Sequence, residues 1–195
     1  MDDRNVNMSF RQEILIALGS NLGSPAGGRR ETVSAALIAL QDRGMRLRRT
    51  SRYFATPCFP AGAGPDYVNA CAAMTYNGAP EDALGLMHEV ESDFRRNRLV
   101  RWGSRSLDLD LIACGSSVRP DARTFMRWHD LSPTAQRADA PDRLILPHPR
   151  LQDRGFVLVP LADIASGWLH PVLGLTVRQM HDALPDAARA EIRAL

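Results

Sequence analysis

An α+β fold, an antiparallel sheet with helices packed on it, is the class this sequence predicts. Short apolar or alternating runs supply the strands, and two segments between them carry apolar residues at helical spacing. Their order, β-α-β-β-α-β, is the ferredoxin-like arrangement, with both helices on one sheet face.

The first strand is "EILIALG", Glu13 to Gly19, an apolar run that stops at glycine. The loop "GSNLGSPAGG" follows. From about Arg29 to Arg43 the spacing of Val33, Leu37 and Leu40 predicts a helix that Gly44 ends. "MRLRRTSRYFAT" alternates as one strand and stops at Thr56-Pro57, and "CFPAGAGP" is a loop. "DYVNACAAMTY" is the next strand, and Pro80 suits the first turn of a helix running to about Phe94. After the arginine-dense "RRNRLVRWGSR" comes the strand "SLDLDLIAC", closed by Gly115. Residues 116–142 are polar, with Pro120, Pro133 and Pro141 and little periodicity, and are expected to form a partly irregular insertion loop. Further helices are expected from about Phe156 to Ile164 and from Thr176 to about Leu184, with another turn or two in the tail. One domain spanning 1–195 is the expected organisation, with 1–12 as a flexible N-terminus.

Composition narrows the function classes. The formal net charge of +2, from 24 basic and 22 acidic residues, is too balanced for a general nucleic-acid or membrane binder. Every basic residue in the row is arginine, so lysine chemistry of any kind is excluded. No apolar run reaches the length of a membrane span, and the polar start lacks the order of a signal peptide, so a cytoplasmic location is expected. The 3 cysteines lie far apart and read as buried thiols, without metal-ligand spacing.

The chemistry concentrates in "RWGSRSLDLDL". Strand alternation puts Leu107, Leu109 and Leu111 on one face and Asp108 and Asp110 on the other. A solvated strand face is the plainer reading of that alternation alone. The preceding loop changes the balance: Arg95, Arg96, Arg98, Arg101 and Arg105 occur there with no acid among them. Guanidinium forks suit phosphate oxygens, and paired aspartates suit hard cations that keep phosphate and water as remaining ligands. Trp102 is suited either to stacking on a base or to anchoring the loop. "LPHPRLQDRGF" adds His148, Arg150, Arg154 and Phe156. "PDYVNA" sets Tyr67 and Asn69 on one strand face, an aromatic beside an amide, which suits a flat heterocycle. "GSNLGSP" lacks the G-K-[ST] and GxGxxG patterns, so it reads as a tight turn in which Asn21 offers an amide.

Together, "ALGSNLGSP", "SRYFATPCF", "PDYVNA", "RWGSRSLDLDL" and "LPHPRLQDRGFVLVPLADIA" resemble, in order, the 6-hydroxymethyl-7,8-dihydropterin pyrophosphokinases of folate biosynthesis. The resemblance implies transfer of the β,γ-diphosphate of ATP to the pterin hydroxymethyl group, giving AMP. It implies that Asp108 and Asp110 hold two Mg²⁺ ions, and that Arg96 and Arg105 assist the transfer as catalytic loop residues. It places Glu91, Arg98, Trp102, Arg143, His148 and Arg154 at or near ATP. It gives Asn69 the pterin edge and Tyr67 and Phe156 the two ring faces. Thr56, Pro57 and Phe59 become the pocket loop, with Asn21 nearby. The partners implied are ATP and the reduced hydroxymethylpterin, with no nucleic acid and no membrane, and the chain is expected to be a monomer. Arg95 and Ser104 stand where the family usually has Gly and Pro.

Two other classes share the topology. A palm-like nucleotidyltransferase also sets paired carboxylates on such a sheet, but it releases pyrophosphate. An RNA-binding module needs the RNP aromatic pattern, which is absent from this sequence.

Overall fold

A computed structural model describes residues 12–58, 64–94 and 106–195. The expected elements are present, with three additions and one division. β1 (Gln12–Ser20) leads to α1 (Arg29–Asp42), then β2 (Arg46–Thr50), β3 (Phe54–Thr56) and β4 (Tyr67–Tyr76). α2 (Pro80–Asp93) and β5 (Asp108–Cys114) complete the core. Two helices, α3 (Ala122–His129) and α4 (Pro133–Ala138), form within 116–142, where the sequence shows little periodicity. α5 (Gly155–Ala165), α6 (Val177–Asp182) and α7 (Asp186–Ala190) follow, and a two-residue strand, β6 (Arg193–Ala194), ends the chain.

The sheet order is β5-β1-β4-β3-β6, with β2 also on β4, and every pairing is antiparallel. The predicted single strand Met45–Thr56 is therefore two strands, β2 and β3, laid end to end along β4. Ser51 causes the division. Its backbone amide bonds Cys71 O at 2.9 Å, while its hydroxyl accepts the Cys71 amide at 2.9 Å, taking the place of a ladder carbonyl. Arg52 then turns outward. Its guanidinium grips the Asp163 carboxylate of α5 through bonds of 2.9 and 2.8 Å. That pairing holds the Asp163 carboxyl below its ordinary range.

Both sheet faces are covered, and this is why "ILIAL" is continuously apolar. On the first face Ile14, Ile16, Leu18, Met74, Leu109 and Leu111 pack with Val33, Leu37 and Leu40 of α1 and Met87 and Val90 of α2. On the second, Leu15, Ala17, Cys71, Ala73 and Ile112 pack under Val157, Leu158 and Leu161 of α5 and Val177 and Met180 of α6. Small residues along β4 let α5 sit close to the sheet. α1 stops as expected: Gly44, at φ 91°, takes the left-handed conformation, and Met45 N reaches back to Leu40 O at 3.2 Å. Among the described residues no helix is long and apolar enough to cross a membrane.

Leu161 is 0% exposed in the second-face core. Leu161→Ala is expected to lower unfolding free energy by about 2–5 kcal/mol. Urea titration followed by circular dichroism checks this; a loss below about 0.5 kcal/mol would show that α5 contributes little to the fold.

Candidate active site

The register of three strands builds the site. Across the sheet, Asp108 lies opposite Gly19, Gly19 opposite Asn69, and Asn69 opposite Phe54. One step nearer α5, Asp110 lies opposite Ala17, and Ala17 opposite Cys71. Directly paired antiparallel residues share a face, so the aspartates, Asn69 and Tyr67 all emerge on the second face. The second-face core reaches the Ala17–Cys71 row and goes no further. Beyond it, the Asp108–Gly19–Asn69 row is the end of that face that α5 leaves open.

At the acidic side of this open end, Arg154 Nη1 donates to Asp110 Oδ2 at 2.5 Å. Arg154 is the residue immediately before α5, so the start of the covering helix delivers a guanidinium onto β5. Its Cζ also lies 5.7 Å from the ring centroid of Phe156, a half-exposed side chain. His148 joins the group from the segment that follows the insertion. Its amide bonds Ile112 O at 2.8 Å, which ties that segment to β5. His148 Nδ1 accepts the Arg150 amide at 3.1 Å, so the neutral ring carries its proton on Nε2. Burial, then Arg154, push this imidazole down to about 3 although Asp110 opposes the shift. It is a neutral hydrogen-bond donor throughout the physiological range.

Glu91 approaches from the other side of the sheet. It is 0% exposed, and its Oε1 accepts the Leu109 amide at 2.8 Å. Leu109 lies between the two aspartates, so this buried carboxylate positions the backbone that carries them.

At the amide side, Asn69 Nδ2 donates to Thr56 Oγ1 at 2.6 Å, and both residues are buried. That bond fixes which way the Asn69 amide faces. Gly19 makes it possible: a Cβ at this position would lie 2.6 Å from Asn69 Oδ1 and 3.8 Å from Tyr67 Cδ1. Asn21, 1% exposed, donates from Nδ2 to Pro65 O at 3.4 Å, joining the β1–α1 loop to the loop before β4. Arg29 adds a second tie to that loop through Asp66 O at 2.5 Å. Pro57 is exposed at the mouth.

The structure therefore gathers Asp108, Asp110, His148 and Arg154 on one side of Gly19, and Thr56, Tyr67, Asn69 and Asn21 on the other. Arg143 lies apart, in a cavity beside α3, paired with Asp142 at 3.3 Å. Phe59, Arg96, Arg98, Trp102 and Arg105 lie outside the described residues. Sequence reasoning treated Gly19 only as a strand end. Its signal was a glycine closing a buried strand, a common mark of close approach by another group. Nothing in the sequence pointed to Arg29.

Among the described residues no three His, Cys, Asp or Glu side chains cluster as a ready-made metal cage. Two carboxylates on one open strand face nevertheless fit Mg²⁺, which binds through one or two carboxylates plus substrate phosphates and water. Asp108 and Asp110 have the donor chemistry for it, with Arg154 available to share phosphate charge.

Paired carboxylates, the Arg154 guanidinium and an oriented amide at one end of an α+β sheet are a set suited to an enzyme that handles phosphate. A family model described as 7,8-dihydro-6-hydroxymethylpterin-pyrophosphokinase (HPPK) matches residues 15–166. The chain belongs to that family. A 2-amino-4-hydroxy-6-hydroxymethyldihydropteridine pyrophosphokinase from Pseudomonas aeruginosa is 37% identical over 159 residues, covering 79% of this chain and 81% of its own. One from Synechocystis sp. is 33% identical over 167 residues, covering 85% and 73%. A solved HPPK-DHPS chain in complex with substrates superposes with a TM-score of 0.64 at 10% identity, over 95% of this chain and 48% of that one. The wild-type HPPK-DHPS of Plasmodium falciparum gives 0.59 at 12% identity, over 88% and 44%. These solved chains share the fold, and this chain spans less than half of their length.

Gly19→Ala is expected to cost about 1–3 kcal/mol of stability by forcing Asn69 off Thr56. In an Asn69→Ala background the same change should cost less than half as much, a coupling that a double-mutant cycle in urea measures. Equal costs in both backgrounds would show that the two residues do not press on each other.

His148 and His170 also set the acid limit. His170 is fully buried and held to about 4, first by burial. Both rings stay neutral in the fold, while the unfolded chain protonates them near 6.5. Their contribution is complete above about 6.5 and is lost as pH falls toward the folded values. Between pH 7 and about pH 5 each is expected to remove on the order of 1–2 kcal/mol. His170→Phe should flatten the dependence of urea midpoint on pH, and an unchanged slope would rule His170 out as a source.

Proposed function

We propose that this chain transfers the β,γ-diphosphate of ATP to the hydroxymethyl group of 6-hydroxymethyl-7,8-dihydropterin, giving AMP and the pterin diphosphate, with two Mg²⁺ ions at Asp108 and Asp110. The observation that carries the reading is their shared placement with Asn69 on the end of the second sheet face that α5 does not cover. Bound there, the ions would neutralise phosphate charge and lower the pKa of the attacking hydroxyl.

The chain's own groups then have simple tasks. The Asn69 amide, turned by Thr56, reads the donor and acceptor edge of the pterin. Tyr67 from the sheet and Phe156 from α5 supply its ring contacts. Asn21 and the residues around Thr56-Pro57 close the pocket floor, together with Phe59. On the other side of Gly19, Arg154 and the Nε2–H of His148 donate to phosphate oxygens. Arg96 and Arg105 assist the transferring group, and Arg98, Trp102 and Arg143 contact ATP. Glu91 acts by positioning β5. Diphosphate transfer asks little covalent chemistry of the protein, so aligned oxygens and well-placed positive charge supply most of the rate. One copy of the chain, acting as a single domain, suffices for this reading.

Incubation with ATP, Mg²⁺ and the reduced hydroxymethylpterin should yield AMP and the diphosphorylated pterin. ADP, free pyrophosphate, or no pterin-dependent reaction would refute the assignment. Asp108→Ala and Asp110→Ala should each lower kcat by at least about a thousandfold while leaving the circular dichroism spectrum intact. Turnover within about tenfold of wild type in either variant would remove that residue from the centre.

A further inference from the structure

The segment 116–142 builds a cavity in which Arg143 alone, among the residues given a part in the reaction above, takes its place. Its helix α3 is amphipathic in an unusual way. One side carries Phe125, 0% exposed, whose ring lies 5.1 Å from that of the buried His170, with His129 in the same aromatic group. The neighbouring side carries Thr124, Arg127 and Trp128, spaced so that they share a helix face. These three line a cavity of about 280 Å³, closed opposite by Asp142, Arg143 and Ile145. A second cavity of about 370 Å³ adjoins it and shares Arg127 and Trp128. Trp128 is only half-buried, and it stands at the wall common to the two.

The cavity is tied to the reaction centre by a short rigid path. Arg119 and Leu146 exchange backbone bonds of 2.9 and 3.1 Å, which clamps the start of the insertion onto the chain leaving it. Ile145 lines the cavity, and three residues later His148 bonds Ile112 and feels both Arg154 and Asp110. Three residues span at most about 10 Å, so the cavity lies within reach of a nucleotide whose phosphates are held at the reaction centre.

The charge pattern says which end is which. The Arg143 hydrogen bond and charge, and more weakly the charge of Arg127, hold the Asp142 carboxylate below its ordinary range. Asp121 faces the same cavity and is already bonded to the amide and hydroxyl of Thr124, both at 2.9 Å. Two guanidinium groups balanced by two carboxylates do not favour a triphosphate. A half-buried indole with alternating donors and acceptors does favour a neutral heterocycle and sugar hydroxyls.

We infer that α3 of the insertion forms the outer wall of the nucleoside seat of ATP, with Trp128 stacked on the purine and Arg127 beside the ribose. This inference rests on the diphosphate-transfer reading, and it assigns the insertion a part in substrate binding.

The test uses the full chain and the non-hydrolysable analogue α,β-methylene-ATP with Mg²⁺, with inorganic tripolyphosphate as the probe lacking a base. Trp128→Ala should weaken the analogue about tenfold by calorimetry, the loss of one base–aromatic stack. Tripolyphosphate affinity and the KM for the pterin should stay within about twofold, and Trp128→Phe should restore most of the analogue affinity. An unchanged analogue affinity, or equal losses for analogue and tripolyphosphate, overturns the inference. Photolabelling of the wild-type chain with 8-azido-ATP gives a readout that no variant's folding can obscure. Label on α3, Ala122–His129, supports the seat, and label confined to other peptides overturns it. Failure of the wild-type chain to make AMP from ATP and the pterin would instead strike the underlying reaction, a result the analogue and label experiments leave separate.

Discussion

The sheet carries apolar side chains on both of its faces, so a layer of helices must cover each one. α1 and α2 cover the first face. On the second, α5 lies over Ala17 and Cys71, with Arg154 immediately before its first residue. Where the cover stops, side chains on that face are free to be polar without the cost of burying an unpaired group. Asp108, Asn69 and Tyr67 occupy the positions just past that boundary. The site is thus placed by the length of one helix against the length of three strands.

Polar groups at the boundary are held by specific partners, and each partner belongs to the fold more than to the chemistry. Thr56 turns the Asn69 amide, Gly19 leaves room for it, and Glu91 holds the strand between the aspartates. Arg154 joins a helix start to a strand carboxylate. Such anchoring keeps rotamers fixed before any ligand arrives, which lowers the cost of organising a reactive arrangement.

Much of this was readable from the chain alone. The alternation in "SLDLDL" correctly put leucines inward and aspartates together, and "EILIALG" correctly read as a strand. The segments that failed did so for physical reasons. Ser51 interrupts a strand through a side-chain hydrogen bond, which periodicity cannot register. β6 is two residues long and pairs only with the short β3, too brief for any pattern. α3 was hidden because one of its faces is aromatic and the next is lined with Arg127 and Trp128, so apolar spacing alone does not describe it. The pairing of Asn69 with Thr56 across strands depends on register, which follows from the whole sheet and not from either segment.

The bond from Leu109 to Glu91 has one more meaning. Glu91 sits in the last turn of α2, and Leu109 is the second residue of β5, so this single buried contact spans the two ends of the arginine-rich stretch between them. Glu91 and Leu109, which flank that stretch in sequence, are tied together beside the aspartates. The stretch's exit and return points are fixed relative to the aspartates, and the entropy of choosing where those ends lie has already been removed. Changes in length or composition there are decoupled from the geometry of the carboxylates.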